Sequence, residues 1–296
     1  MSLHAKLSAV LVLDARADLG EGPLWDPVTR RLLWVDVISS LVHTFDPHTG
    51  LDTVCDVGAH VGAVVMRTNG GLILAQRHGF TRLDPGAASP VTVAEPADHP
   101  ATNRFNDGKC DPAGRFWAGT MAYDGATGAG SLYRLDPDGR VTSMAQGLTI
   151  ANGLAWDLPR ARFYHIDSPT LCVFVWDYDH AAGTIRNRRV AIRATPDDGL
   201  PDGMAMDSEG KLWVAHWGGS QVVRWDPDTG AALMRIRMPV SQPTSCAFGG
   251  DDFDRLYITS ARSGLTPEQL SQQPLAGGLF VADPGVKGMP TTAFSG

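Results

Sequence analysis

The sequence predicts an all-β fold, a six-bladed β-propeller, on three observations. First, Asp-Pro pairs follow short apolar or aromatic runs at Asp46-Pro47, Asp84-Pro85, Asp136-Pro137, Asp226-Pro227 and Asp283-Pro284, with Asp177-Tyr178 as a degenerate sixth copy. The five intervals from Asp46 to Asp283 average about 47 residues, the period of a four-stranded propeller blade. Second, each copy reads as an aromatic-rich strand, a Gly turn, an alternating strand and the Asp-Pro turn, as in LWVAHWGGSQVVRWDPDTG (212–230) and RLLWVDVISSLVHTFDPHTG (31–50). Third, a hexapeptide that opens on an oxygen-bearing side chain and closes on Asp recurs as EGPLWD (21–26), NDGKCD (106–111), NGLAWD (152–157) and DGMAMD (202–207).

These pieces assemble in order. A strand over Ala9 to Ala15 precedes the first hexapeptide; paired with the last blade, it closes the ring and removes an open edge. Each hexapeptide starts the innermost strand of a blade, and its final Asp begins the turn to the second strand, as in DPAGRFW and DSEGKLW. Pro after Asp presets the later turn, and the Gly that usually follows supplies positive φ. Helical periodicity is confined to Pro267–Gln273. Six blades of about 47 residues fill residues 1–296 as one domain without a linker.

Innermost strands run in one direction round the channel, so their first residues share one mouth. Glu21, Asn106, Asn152 and Asp202 converge there from blades one, three, four and five, whereas blades two and six carry Val64 and Cys246 near the equivalent place. Oxygen side chains gathered in a dry channel repel unless a cation sits among them. The absence of His and Cys donors suits Ca²⁺, Mg²⁺ or Mn²⁺ better than a structural zinc, and so few ligands leave positions for water and substrate. The competing reading is local: Asn152-Gly153 and Asp202-Gly203 as simple turns.

A net charge of −7 argues against nucleic acid, whose phosphates need clustered Lys and Arg. The four cysteines lack C-x-x-C spacing and read as buried thiols in a reducing compartment, and the Leu7–Leu13 apolar run is too short to span a bilayer; the expectation is a soluble, cytoplasmic protein with no membrane partner. No G-x-S-x-G elbow is present, and the GATGAG stretch (125–130) precedes a strand, so it reads as a loop or lid rather than a nucleotide cradle. His165 and Asp167 share a strand face and could make a structural hydrogen bond or line a pocket; His216-Trp217 could stack on a sugar or cap the sheet.

The segments LGEGPLWD, RFNDGKCDPAGRFWAGTM, ANGLAWD, FYHIDS, PDGMAMDSEGKLWVAHWGG and SCAFGGDDFDRLYITSAR resemble the gluconolactonase/regucalcin (senescence marker protein) family from about Leu19 onward. The resemblance implies a propeller that hydrolyses sugar lactones such as glucono-, xylono-, arabinono- or galactonolactone with one divalent cation, whether Ca, Mg, Mn, Zn or Fe. It implies Glu21, Asn152 and Asp202 as metal ligands, Asp202 also as general base, and Arg104 and Asn106 as residues holding the substrate's hydroxyls and ring oxygens. Where some members carry a Glu pair after GTM, this chain has Tyr123-Asp124, so that Asp124 would contact substrate with a shorter reach. Two further readings share the fold: a phosphotriesterase-like hydrolase and a non-enzymic calcium-binding propeller.

Overall fold

A computed structural model describes residues 7–296. Six antiparallel sheets form the blades of a six-bladed β-propeller. Strands β1 (Leu7–Ser8) and β2 (Val10–Leu13) precede blade 1, which comprises β3 (Gly20–Asp26), β4 (Arg31–Asp36), β5 (Leu41–Asp46) and β6 (Leu51–Asp56). Blade 2 holds β7 (Val61–Met66), β8 (Leu72–Gln76), β9 (Phe80–Leu83) and β10 (Val91–Ala94). Blade 3 holds β11 (Asn103–Cys110), β12 (Phe116–Ala122), β13 (Gly130–Leu135) and β14 (Val141–Leu148). Blade 4 holds β15 (Ala151–Asp157), β16 (Arg162–Asp167), β17 (Cys172–Asp179) and β18 (Thr184–Arg193). Blade 5 holds β19 (Leu200–Met206), β20 (Leu212–Trp217), β21 (Gln221–Trp225) and β22 (Ala232–Arg237). Blade 6 begins with β23 (Pro243–Gly249), β24 (Arg255–Ser260) and β25 (Leu279–Ala282), with a short helix α1 (Pro267–Gln272) between the last two.

The ring closes as the sequence suggests, on a shorter strand. β2 pairs antiparallel with β25, Val10 opposite Val281 and Leu11 opposite Phe280. The preceding residues leave that sheet: β1 adds to blade 5, parallel to β22, and the Ala9 N–H donates to the Arg237 carbonyl at 3.2 Å. The N-terminal segment therefore clasps two blades. One turn also lies elsewhere than the sequence suggests: Asp177 sits inside β17, and the turn forms from Asp179, whose carbonyl accepts from Gly183 at 2.7 Å.

First strands of successive blades pack on one another in a closed cycle, β3 on β7, β11, β15, β19, β23 and back to β3. Every one of them is bulged near its start. The pairing register breaks between Glu21 and Leu24, Val61 and Ala63, Phe105 and Gly108, Asn152 and Leu154, Pro201 and Met204, and Pro243 and Cys246. A bulge bends its strand and re-aims the side chain it carries. Registered on the second strands, the positions equivalent to Glu21, Asn106, Asn152 and Asp202 are Gly62 in blade 2 and Thr244 in blade 6. Val64 and Cys246 lie two residues further in.

Glycine after the polar residue follows from this crowding, not from a turn. Asn152-Gly153 and Asp202-Gly203 lie inside β15 and β19, and neither glycine adopts a left-handed φ. A Cβ on Gly153 would meet the Asp202 carbonyl oxygen at 2.8 Å, and one on Gly203 would overlap the Ser245 side chain. Each glycine lets the neighbouring blade's first strand approach the axis.

The closing Asp of the hexapeptide anchors its own blade. Asp207 is fully buried and accepts from Arg224 Nε (2.7 Å), Trp213 Nε1 (3.0 Å) and the backbone of Glu209 and Lys211. Asp111 repeats the pattern with Arg115 Nε (2.6 Å) and Trp117 Nε1 (2.9 Å), and also ties its blade to blade 4 by accepting from the Tyr178 hydroxyl (2.9 Å). Aromatic side chains fill the spaces between blades, such as Trp117 against Phe163 at 5.3 Å between centroids.

Gly153→Ala is expected to destabilise the fold by ~1–3 kcal/mol, because the Asp202 carbonyl of the next blade must yield to the new methyl along with the Ile166 and Met204 side chains. Calorimetry would read this as a melting temperature lower by several degrees. An unchanged melting temperature would show that blades 4 and 5 are not in forced contact there.

Candidate active site at the channel mouth

The bulges bring Glu21, Asn106, Asn152 and Asp202 to one mouth, each at most 6% exposed. Burial raises the Glu21 carboxyl well above its ordinary pKa, helped by the charges of Asp202 and Asp107 and opposed by the Gly22 N–H and Arg104. Asp202 is raised likewise, by burial first and Asp107 next, with Asn152 and Arg104 opposing. Two carboxyls that share a dry site resist carrying two negative charges without a compensating cation or proton.

Asn152 points to which. Its Nδ2 donates to Ser168 Oγ at 3.1 Å, which fixes the amide, while its buried Oδ1 has no hydrogen-bond partner. A buried carbonyl oxygen left unpaired beside two carboxylates is a donor waiting for an electropositive ligand. Glu21, Asp202 and Asn152 are the residues that could hold a divalent cation. Among the described residues no group of three or more His, Cys, Asp and Glu stands at metal-holding spacing.

Arg104 and Asn106 form a linked pair on the blade 3 side. Arg104 is buried, and its Nη1 donates to Asn106 Oδ1 (2.9 Å) and to the Phe105 carbonyl (3.0 Å). Asn106 Nδ2 donates in turn to the Ala151 carbonyl at 3.1 Å. The Asn106 oxygen is thus directed at Arg104. Burial lowers the Arg104 pKa, and the neighbouring Tyr123 phenol and the Glu21 and Asp202 carboxyls oppose that shift. It forms no ion pair among the described residues, so most of its donors stay available.

Asp124 is not brought into this set: it is exposed in the loop after β12, where its Oδ1 accepts from Ala126 N at 3.0 Å. Its neighbour Tyr123 is the residue of that pair that faces Arg104. Sequence reasoning also passed over Asp107, buried beside both site carboxyls, with its Oδ1 accepting from Gly108 N at 2.7 Å. A signal was present: the hexapeptide's second letter is Gly in EGPLWD, NGLAWD and DGMAMD but Asp in NDGKCD. Lys109 lies deeper, half-buried, and reaches from blade 3 to blades 4 and 5 by donating to the carbonyls of Met204 (2.8 Å) and Leu154 (3.2 Å).

Two sequence expectations need correction, on His165–Asp167 and on Cys55, and the open choice at His216 is decided. His165 and Asp167 make no hydrogen bond: both His165 ring nitrogens lack partners in the core, and Asp167 instead accepts from the backbone of Thr149 and Ile150. Burial drives the His165 pKa down to about 3, so the ring is neutral. His216 is fully buried, with Nδ1 3.3 Å from the Gly199 carbonyl and Nε2 3.2 Å from Trp225 Nε1, so it caps the sheet and does not face a sugar. All four cysteines are free, as expected, but Cys55 is only half-buried because it sits on an outermost strand. A cavity of about 440 Å³ opens at the opposite mouth, past Lys109, among Trp25, Trp156, Met206 and Phe248; it contains none of the convergent oxygens.

Against this geometry the comparisons with known proteins are consistent. The chain is 41% identical over 291 residues to rabbit (Oryctolagus cuniculus) regucalcin, covering 96% of this chain and 97% of the relative. It is 40% identical over 290 residues to the Bacillus subtilis protein YvrE, assigned by name as a sugar lactone lactonase, covering 98% and 99%. A solved structure from Agrobacterium tumefaciens, described as the calcium-binding protein regucalcin, superposes with a TM-score of 0.92 at 28% identity over 97% of both chains. The family model for the SMP-30/gluconolactonase/LRE-like region matches residues 19–262, and the chain belongs to that family of sugar-lactone hydrolases.

Proposed function

We propose that this protein is a divalent-metal-dependent hydrolase of sugar lactones, with Glu21, Asn152 and Asp202 as metal ligands. The observation that carries the reading is the unpartnered, buried Asn152 Oδ1 set against two buried carboxyls whose pKa values are raised. The donors are all oxygen, which fits Ca²⁺, and one relative of the same fold is described as calcium-binding. A bound cation would supply Lewis-acid polarisation of the lactone carbonyl.

The chain's own residues then divide the work. Asp202 takes the proton of the attacking water and returns it to the departing ring oxygen. Arg104 and Asn106 orient the polyol: the guanidinium keeps donors free beyond its bond to Asn106, and that bond fixes the angle at which they are offered. Asp107 adds negative charge behind both ligands, favouring a divalent over a monovalent ion. No covalent enzyme intermediate is required.

Removal of metal with EDTA is expected to abolish lactone opening, and a divalent ion to restore it. The metal-free carboxyls hold protons more tightly than ordinary carboxyls, since burial and repulsion raise both pKa values. Metal binding therefore releases protons, and apparent affinity falls as the pH is lowered. Calorimetry in two buffers of different ionisation enthalpy reads the release directly. Full activity in protein shown metal-free by elemental analysis would overturn the site assignment.

Arg104→Ala is expected to leave metal content unchanged and to lower kcat/KM by about 10- to 150-fold, the range for losing a charge-assisted hydrogen bond of ~1.5–3 kcal/mol. A lower melting temperature with unchanged kinetics would make Arg104 a structural residue. Asp202→Asn keeps one carbonyl oxygen for metal but cannot take a proton, so at saturating metal kcat should fall at least ~100-fold after the buffer rate is subtracted. A kcat within about threefold of wild type, worth under ~0.7 kcal/mol, would leave Asp202 as a ligand alone.

A further inference from the structure

Blades 2 and 3 contribute a wall to the same mouth that the reaction just described does not use. His60 immediately precedes β7, Arg77 immediately follows β8, and Tyr123 immediately follows β12. First strands start and second strands end at this mouth, so all three residues stand on the side of Glu21 and Asp202. They are organised, not scattered. The Tyr123 hydroxyl lies 2.9 Å from His60 Nδ1, and the Arg77 guanidinium sits over the Tyr123 ring at 5.3 Å from its centroid. The Arg77 N–H donates to the His60 carbonyl at 2.9 Å, and the Arg77 carbonyl binds His99 Nε2 at 2.8 Å, tying three loops together. Arg77 and Tyr123 are nevertheless exposed and His60 is only partly buried, so the wall is open to a ligand.

Its chemistry is one-sided. Arg77, like Arg104, forms no ion pair among the described residues, although the chain carries 32 acidic residues and a net charge of −7. The order across the mouth follows from strand pairing: Arg104 stands opposite Met121 on the strand that leads into Tyr123, and His60 and Arg77 meet Tyr123 from blade 2. A neutral polyol needs acceptors as well as donors along its length, and the side chains of this wall offer no carboxylate acceptor. A guanidinium fork beside a phenol and an imidazole is instead suited to an anion of carboxylate or phosphate geometry.

We infer that His60, Arg77 and Tyr123 form an anion subsite, and that the substrate is a sugar lactone bearing a second anionic group, carboxylate or phosphate, at the end remote from the lactone carbonyl. This rests on the lactonase reading above. With the carbonyl at Glu21, Asn152 and Asp202 and the hydroxyls on Arg104 and Asn106, the far end of the sugar points toward Arg77. Tyr123, not Asp124, then sets the width of the passage between the hydroxyl site and the anion site.

The test compares D-glucono-1,4-lactone with D-glucaro-1,4-lactone, which adds a carboxylate at the far carbon, on metal-loaded wild type and on Arg77→Ala and Tyr123→Phe. Wild type is expected to favour the glucarolactone in kcat/KM by about tenfold or more, through KM, and Arg77→Ala to cost that substrate at least ~10-fold more than it costs gluconolactone. The preference should shrink as salt is raised from about 0.01 to 0.15 M. Calorimetric binding of D-glucarate and 6-phosphogluconate, each against gluconate, needs no turnover and separates the carboxylate from the phosphate form of the subsite. Gluconolactone hydrolysis without any advantage for the glucarolactone, and with no tighter binding of either glucarate or 6-phosphogluconate than of gluconate, would overturn the subsite and leave the lactonase reading intact. If neither lactone opens, the lactonase reading falls; tighter binding of glucarate or 6-phosphogluconate that Arg77→Ala abolishes would still sustain the subsite, and equal binding would end it.

Discussion

The β-bulge shared by all six first strands is the feature on which the rest of the mouth depends. A regular strand would send alternate side chains into the channel and leave their neighbours in the interblade core. The bulge inserts an extra residue and turns Glu21, Asn106, Asn152 and Asp202 toward one another; Glu21 and Asn152 keep their pairing, while Asn106 and Asp202 fall in the unpaired stretch. The glycines that follow at 153 and 203 let adjacent blades close round the opening. Geometry of this kind is costly to disturb, since each first strand is held between two others and by its own second strand.

Concentrating acids in that opening leaves a charge imbalance at the mouth. Glu21, Asp107 and Asp202 face the cationic side chains of Arg104 and Lys109, so with all five ionised one negative charge remains unbalanced. Lys109 is committed to two backbone carbonyls in the channel, and Arg104 to Asn106 and Phe105. Neither makes a close ion pair with the carboxyls. Under the proposed reading that excess would be offset by a cation, to which the Asn152 amide, steadied by Ser168, would add a neutral donor without adding repulsion.

The two ends of the channel have separate characters. At one end lie the polar ligands, the Arg104–Asn106 pair and the aromatic and basic wall of blades 2 and 3. At the other, past Lys109, an apolar cavity runs between Trp25, Trp156 and Phe248, flanked by the chain near Met289 and Pro290. The C-terminal segment reinforces this second face, with Phe294 buried and its backbone bonded to Met66 and Thr68. The buried Asp111 and Asp207 clusters stand at the turns on that face, so structural and reactive carboxylates are segregated along the channel.

Much of this was legible in the chain because a repeat is a local signal. The Asp-Pro turns, the aromatic second strands and the hexapeptides each lie within a few residues, and their recurrence sets the number of blades and the direction of each first strand. Those two facts lead to Glu21, Asn106, Asn152 and Asp202 sharing a mouth, whereas Arg104 entered the reading only through the family resemblance. What the sequence could not decide depends on partners far away along the chain. Whether Asp202-Gly203 is a turn or a strand was settled by Ser245 of the next blade, and whether His165 bonds Asp167 by the backbone of Thr149 and Ile150. The choice of Tyr123 over Asp124 at the mouth depends on a loop that meets His60 and Arg77 from another blade, and the partnerless oxygen of Asn152 on Ser168. Repeat and strand direction are properties of covalent order; burial, hydrogen-bond satisfaction and charge balance arise between blades, and only the closed ring brings those blades together.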